Sequence, residues 1–278
     1  MELNSKQVYE SLINGAYHVI MNRETLNRIN VFPVQDGDTG SNLSSMMRTI
    51  ILKAEQKETV KETLESVADA SLYGARGNSG IIFAQYFRGL SETINEGELI
   101  SIDEYAKASR NAAQYAYNAV ERPVEGTMIT LMREWGSYLL TESSGMGTLE
   151  DMFTNAFHKL QVALEKTKEQ LAALRKANVV DSGAMGFTCF IEGITYHINS
   201  QDEIEFNRLK EQIEYMAEPA TDEPAYDMPH ESYAGFRYCT ECLMESTISN
   251  ICISEIKDEL QKSGDSVVVA GNDKKCFD

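Results

Sequence analysis

Positive charge is scarce in this chain: 25 lysines and arginines face 43 aspartates and glutamates, a formal net charge of −18 at pH 7. A nucleic-acid footprint wants a basic face, so this balance argues against that class of partner, and the negative excess reads as a solubility feature. No apolar run reaches the ~20 residues that a membrane-spanning helix needs. A signal peptide is also lacking, since Met1-Glu-Leu-Asn-Ser-Lys6 is polar and flows into an amphipathic helix. Five cysteines, an odd number without a secretory signal, fit a reducing, cytoplasmic setting. Histidine is limited to four: His18, His158 and His197 fall inside helical stretches and His230 in a later segment, as packed or surface residues rather than catalysts. The Walker signature GxxxxGK followed by Ser or Thr does not occur.

What is present is a run that joins acid to glycine, Asn30-Val-Phe-Pro-Val-Gln-Asp-Gly-Asp-Thr-Gly-Ser-Asn42. Asp36 and Asp38 offer hard oxygen ligands, and Gly37 lets the backbone fold so that both converge on one cation. Thr39, Gly40, Ser41 and Asn42 follow as the start of a helix, where unsatisfied N–H groups and the positive dipole end favour phosphate. An EF-hand loop counted from Asp36 requires Gly where Ser41 stands and Glu where Met47 stands, so calcium-loop chemistry is rejected. A plain Asp-Gly turn with a Thr cap remains the bland alternative.

Three more glycine-bearing segments shift that balance: Gly74-Ala-Arg-Gly-Asn-Ser-Gly80, Arg122-Pro-Val-Glu-Gly-Thr127 and Val179-Val-Asp-Ser-Gly-Ala-Met-Gly186. Each precedes a long run with helical apolar spacing. In an up-and-down bundle a loop returns to the same end after every second helix, every ~35 to 60 residues. Asp36, Gly74, Glu125 and Asp181 lie 38, 51 and 56 residues apart, which places all four loops at one end if each interval holds two helices. The spacing predicts helices over 5–22, 40–54, 57–73, 79–96, 101–120, 126–142, 149–175 and 184–199, and no strand before residue 200. Leu64 with Val67, and Ile129 with Met132 and Leu139, form apolar stripes, whereas Glu104, Lys107 and Arg110 share an outward face.

The expected architecture is mainly α: an eight-helix up-and-down antiparallel bundle over residues 1–200 with a nucleotide site at one end. An acidic, proline-containing linker follows over 201–232, then a partial α/β module over 233–278. That module reads as a strand over 235–247, a helix over 255–263 and a strand over 266–270, too little to close a core unaided, so the chain is expected to stop inside a second domain.

NVFPVQDGDTGSN, GARGNSGIIFAQYFRG, RPVEGT, VVDSG and RYCTE together resemble the kinase domain and the start of the middle domain of the A-type subunit of fatty acid kinase. That kinase domain is similar to the nucleotide-binding L subunit of dihydroxyacetone kinase. The resemblance covers essentially the whole chain. It implies an eight-helix barrel that holds ADP or ATP through two magnesium ions, with Asp36 and Asp38 as magnesium ligands and Asn30 just ahead of them. Val31 stands where dihydroxyacetone kinases carry a third Asp, leaving Asn30 or water as the third ligand. By the same resemblance Thr39, Gly40 and Asn42 touch phosphate, Asn78, Ser79 and Gly80 form a second phosphate turn, and Thr127, Asp181, Ser182 and Gly183 lie around the nucleotide. Gln35 replaces the usual proline, and Ala184-Met185 replaces the usual residues after VVDSG, where they narrow or grease the pocket. Cys239 resembles a zinc ligand whose histidine partners are absent from this sequence, so no complete zinc site is expected.

Two side chains stay open between roles. Arg76 either stabilises charge on the transferring phosphoryl group or starts a helix paired to a carboxylate. Glu125 either orients water on magnesium or sits in a helix first turn, where acids are favourable anyway. The leading expectation is ATP-dependent phosphorylation of a fatty acid presented by a DegV-type lipid-binding partner, with a homodimer formed through a part of the protein beyond this chain. The alternatives are a nucleotide-binding scaffold without turnover and a dihydroxyacetone kinase L-type subunit.

Overall fold

Four of the long helices start at side-chain caps that the sequence supplies. The structure, a computed structural model, describes residues 2–200 apart from 34, 144 and 146, together with 209, 211, 213, 253–262 and 267–269. After strand β1 (Glu2–Asn4), helix α1 (Ser5–Met21) opens with a reciprocal pair: the Asn4 side chain accepts from Gln7 N, and Gln7 Oε1 accepts from Asn4 N. Thr59 with Glu62 does the same for α4 (Val60–Gly74), and Thr148 with Asp151 for α8 (Leu149–Gln170). Ser101 caps α6 (Ile102–Ala119) by accepting from Glu104 N. The remaining elements are α2 (Arg23–Arg28), α3 (Thr39–Lys53), α5 (Gly77–Thr93), β2 (Leu99–Ser101), α7 (Met128–Ser143), α9 (Ala172–Ala177) and α10 (Ser182–Ser200).

The eight long helices close into a ring. Each packs on the next in the order α1, α3, α4, α5, α6, α7, α8, α10, and α10 returns to α1. Neighbours joined by short connections run antiparallel, so alternate connections share an end. The segments 22–38, 75–76, 120–127 and 171–181 form one rim, and 54–59, 94–101 and 144–148 the other. The seam between α1 and α10 depends on two glycines: a Cβ on Gly15 would lie 2.7 Å from the Phe190 carbonyl oxygen, and one on Gly193 2.5 Å from that of Asn14. The interior is filled by rings from α5 and α10. Phe83 stands 5.1 Å from Phe87 and from Phe190, and Tyr86 5.3 Å from Phe187, in stacked and edge-on geometries that suit aromatic quadrupoles. Leu64, Val67, Ile129, Met132 and Leu139 are buried as their spacing requires, and Lys107 and Arg110 are exposed.

Several elements differ from expectation. Two strands precede residue 200: β1 pairs antiparallel with β2 at the second rim, Leu3 opposite Ile100. Helix α2 interrupts a stretch expected to be loop. The helix expected over 149–175 breaks at Leu171, which is extended (φ −114°, ψ 134°), and the chain turns out of α9 through Asn178 in the left-handed conformation (φ 56°). Beyond the barrel, the described chain shows a helix over Ile253–Gln261, near the helix expected there. Val268 makes an isolated antiparallel bridge with Val120. The expected linker is almost wholly, and the expected strand over 235–247 and Cys239 entirely, outside the described residues. By its contacts the backbone divides into Met1–Asp202 with Val268–Gly271, and Glu203–Val267 with Asn272–Asp278. Among the described residues, no helix is long and apolar enough to cross a membrane.

Candidate functional site

The rim that carries 22–38 gathers the glycine-bearing segments. Gly37 adopts φ +68°, in the region where only glycine is at ease, and turns the chain so that Asp36 and Asp38 flank it, both exposed. Asp38 is the N-cap residue of α3, and its carbonyl accepts from Asn42 N at 2.9 Å. Asn30 is buried at 3 % exposure and donates its side-chain amide to Asp36 Oδ1, which orients that carboxylate.

Helix α2 seats the first turn of α3. A Cβ on Gly40 would fall 2.1 Å from the Arg23 carbonyl oxygen and 2.7 Å from Asn27 Oδ1, so only glycine permits this approach. Asn27 Oδ1 accepts from Ser41 N at 3.0 Å, which satisfies one of the free donors of the helix start. Ser41 Oγ accepts from Asn27 Nδ2 at 3.0 Å and from Arg23 Nε at 3.2 Å. Arg23 and Asn27 therefore position the acidic turn from beneath. Six residues are too few to show a helical period, so neither side chain stands out in the sequence; the polar spacing of Arg23, Asn27 and Asn30 is the available signal.

The second segment meets the first at Asn42. Gly77 adopts φ +56°, and a Cβ there would lie 2.6 Å from Asn42 Nδ2. In the first turn of α5, Asn78 is exposed, Ser79 half-buried and Gly80 buried, with Gly80 N donating to Arg76 O at 3.1 Å. Arg76, exposed at the N-cap of α5, donates to the carbonyls of Ala75 (2.7 Å) and Tyr73 (3.4 Å). It is thus a helix-start residue whose described partners are carbonyl oxygens rather than the expected carboxylate.

In the third segment, Glu125 accepts two hydrogen bonds from Arg133 (2.7 and 2.8 Å) and one from Thr130 Oγ1 (2.7 Å). These bonds, Arg133 first, hold its carboxyl down at about 2. Glu125 is a brace for the start of α7. Thr127 is half-buried, and its Oγ1 donates to Val124 O at 2.7 Å.

The fourth segment lies inside the rim. Asp181 is 5 % exposed; its Oδ1 accepts from Ala184 N at 2.7 Å, and the backbone N–H of Met128 also favours its charge. Burial outweighs both and pushes the carboxyl up to about 6. Asp181 N donates to Thr167 Oγ1 at 3.1 Å, and Ser182 Oγ donates to Leu26 O at 2.7 Å. Gly183 is buried against Met128, whose Cε would be 3.2 Å from an added Cβ. In the structure Asp181 and Ser182 are thus ties, joining the starts of α7 and α10 to each other and to α2.

Asn42 with Gly77, Ser182 with Leu26 and Asp181 with Met128 link all four segments at one rim. Two carboxylates face solvent there, above two helix N-termini. Among the described residues no three His, Cys, Asp or Glu side chains gather as a metal group, so a cation at Asp36 and Asp38 needs further oxygens from water or a bound anion, the usual arrangement for magnesium on a phosphate.

Comparison with known proteins gives the family of the chain. The DAK2 domain family matches residues 33–196, and the middle domain of proteins like the A-type subunit of fatty acid kinase matches residues 235–276. Protein MG369 of Mycoplasma genitalium is 33 % identical over 87 % of this chain and 44 % of its own length. Protein YloV of Bacillus subtilis is 28 % identical over 98 % of this chain and 50 % of its own. The chain thus spans about half the length of the curated relatives it matches. Among solved structures, the dihydroxyacetone kinase from C. freundii in complex with AMP-PNP and Mg2+ superimposes with a TM-score of 0.52 at 16 % identity, over 70 % of this chain and 34 % of that one, a likeness of fold. By sequence this chain belongs to the DAK2 domain family, as a protein like the A-type subunit of fatty acid kinase.

Proposed function

We propose that this chain is the nucleotide-binding part of an ATP-dependent kinase that phosphorylates a fatty acid on its carboxylate. The observation that supports it most is the linkage of four connecting segments around the exposed Asp36–Gly37–Asp38 turn. Phosphoryl transfer asks a protein mainly to align the triphosphate and neutralise its charge. Asp36, oriented by Asn30, and Asp38 would hold magnesium. The amides of Thr39, Gly40 and Asn42 and of Asn78, Ser79 and Gly80 would surround the phosphates, and Thr127 would border the nucleotide. Asp181, Ser182 and Gly183 keep those loops in register. Magnesium, when bound, supplies positive charge to the phosphate oxygens. Arg76, at the rim with one guanidinium nitrogen bonded to carbonyls, would add to it.

A fatty acid is already ionised at neutral pH and needs no general base, which suits a rim without a catalytic histidine among the proposed residues. The barrel interior is filled by Phe83, Tyr86, Phe87, Phe187 and Phe190, so the acyl chain is better held by a separate DegV-type lipid-binding partner. The complex of the C. freundii kinase with AMP-PNP and Mg2+ supports the choice of cofactors.

The test is calorimetric titration of Mg-AMP-PNP, followed by transfer of labelled phosphate from ATP with oleate or dihydroxyacetone, each offered with its carrier protein. Asp36→Asn and Asp38→Asn are expected to weaken magnesium-dependent binding at least tenfold. Label on the triose alone assigns the chain to the dihydroxyacetone branch, and binding with no transfer to any acceptor leaves a scaffold.

A further inference from the structure

Helix α6 ends where the third rim segment begins, and a distant part of the chain meets it there. Its last residue is Ala119; Val120 caps it in an extended conformation (φ −88°, ψ 140°), its N–H turned back to Tyr117 O at 3.3 Å. The last carbonyls of a helix have no partner inside it. That of Ala119 accepts from Val269 N at 3.4 Å, beside the antiparallel bridge of Val120 with Val268. Positions 267–269 are three consecutive valines, the residue type that suits a pleated, half-buried strand, and Val120, Val268 and Val269 are all half-buried. By sequence Val268 and Val269 fall in the span that matches the middle domain, yet by its contacts Val268–Gly271 groups with the barrel. The segment 120–127 carries Gly126 at φ +84° and Thr127 at the nucleotide rim. Thr127 Oγ1 bonds back to Val124 O, while Gly126 N and the Glu125 carboxylate reach Thr130 and Arg133 of α7. The Val269 bond instead fixes the upstream end, and it comes from about 150 positions later in the chain.

We propose that Val268 and Val269 are a strap on the third rim segment: closed, it holds that segment where nucleotide is bound, and its release lowers nucleotide affinity. The inference deepens the kinase reading and rests on it for the identity of the ligand. Linkage is reciprocal, so bound nucleotide keeps the strap closed by the same factor that the closed strap adds to affinity. A single backbone hydrogen bond limits that factor to about tenfold. At 3.4 Å the bond is longer than the usual ~2.9–3.0 Å, which suits a contact that opens more readily than the barrel unfolds.

The whole 278-residue chain is the material of the test, and Mg-AMP-PNP is the probe. Val269→Pro removes the N–H that bonds Ala119, whereas Val269→Thr keeps both that donor and the β-branched shape. By calorimetry Val269→Pro is expected to bind Mg-AMP-PNP about three- to tenfold more weakly than the wild type, and Val269→Thr to stay within about twofold. The wild type supplies a second reading that needs no substitution: exchange of the Val269 amide, followed by NMR, slows on saturation with Mg-AMP-PNP by the factor that Val269→Pro loses. Unchanged affinity in a Val269→Pro protein that keeps its helical circular dichroism overturns the proposal. So does a Val269 amide that exchanges equally fast with and without nucleotide, and this measurement decides alone if Val269→Pro does not fold. Failure of Mg-AMP-PNP to bind the wild type sinks the kinase reading instead. The strap is then read in the nucleotide-free protein, where a Val269 amide protected over an unstructured peptide upholds the contact and an unprotected one refutes it.

Discussion

Replacing Asp181 by asparagine isolates the energetic role of the most buried acid at the rim. Its carboxyl rises from the ordinary 3.8 to about 6, chiefly through burial. A carboxyl that holds its proton more tightly in the folded chain than in the unfolded one contributes stability in full below pH 3.8. That contribution declines as pH rises and is gone above about 6. At about 1.4 kcal/mol per tenfold change in proton affinity, the difference amounts to roughly 3 kcal/mol. The introduced asparagine would keep a side-chain oxygen for Ala184 N–H and would not titrate. The stability of Asp181→Asn minus that of the wild type is therefore expected to grow by roughly 2 kcal/mol between pH 4 and pH 7, the rest of the change lying below pH 4. Urea unfolding of nucleotide-free protein, followed by helical circular dichroism at several pH values, gives that difference, and the remaining acids cancel in the subtraction. A difference that stays flat across this range would show that Asp181 ionises in the folded chain as it does in water, and its burial between α7 and α10 would be refuted.

Gly77→Ala places a methyl 2.6 Å from Asn42 Nδ2 at a positive φ; a loss of about 1–3 kcal/mol in stability and weaker Mg-AMP-PNP binding are expected, both measurable by thermal shift with and without nucleotide. Gly193→Ala drives a Cβ to 2.5 Å from the Asn14 carbonyl and should cost at least about 3 kcal/mol in urea unfolding, because backbone cannot step aside as a side chain can. The Glu125 carboxyl lies below its ordinary value, so its contribution is present above pH 4.5 and is lost as pH falls toward 2. Since Glu125 and Arg133 are largely exposed, Glu125→Gln is expected to cost no more than about 1 kcal/mol at pH 7, seen as faster hydrogen exchange at the start of α7.

The long helices were legible because each carries an apolar stripe at helical spacing, and where capping boxes exist they mark the starts better than the stripes do. Thr59 and Glu62 set α4 to begin at Val60 rather than at 57. The break at Leu171 has no such signal. Nothing among Gln170, Leu171 and Ala172 interrupts a helix locally. The turn is made by tertiary contacts instead, with Leu174 fully buried and Gln170 packed against Gly126. The β1–β2 pair was hidden for a different reason: three residues give too little alternation to read, and the partners are about a hundred positions apart in the chain.

At the rim the sequence located the four segments but not the direction in which their side chains face. Asp36 and Asp181 both sit in glycine-bearing turns ahead of helices, and composition alone makes them equivalent. Their surroundings separate them: Asp36 is exposed and receives one hydrogen bond from Asn30, whereas Asp181 is buried with its oxygens committed to backbone N–H groups. A metal can reach the first without breaking anything, but reaching the second would uncap two helices. The difference arises from ring closure, which brings α7 and α10 together at their N-termini and leaves one carboxylate to serve both. A spacing argument within single segments does not contain that contact. The role of Asp181 as a tie follows only once α10 is known to return to α1, and the exposure of Asp36 only once Asn30 and the Gly37 turn are seen to hold it at the rim.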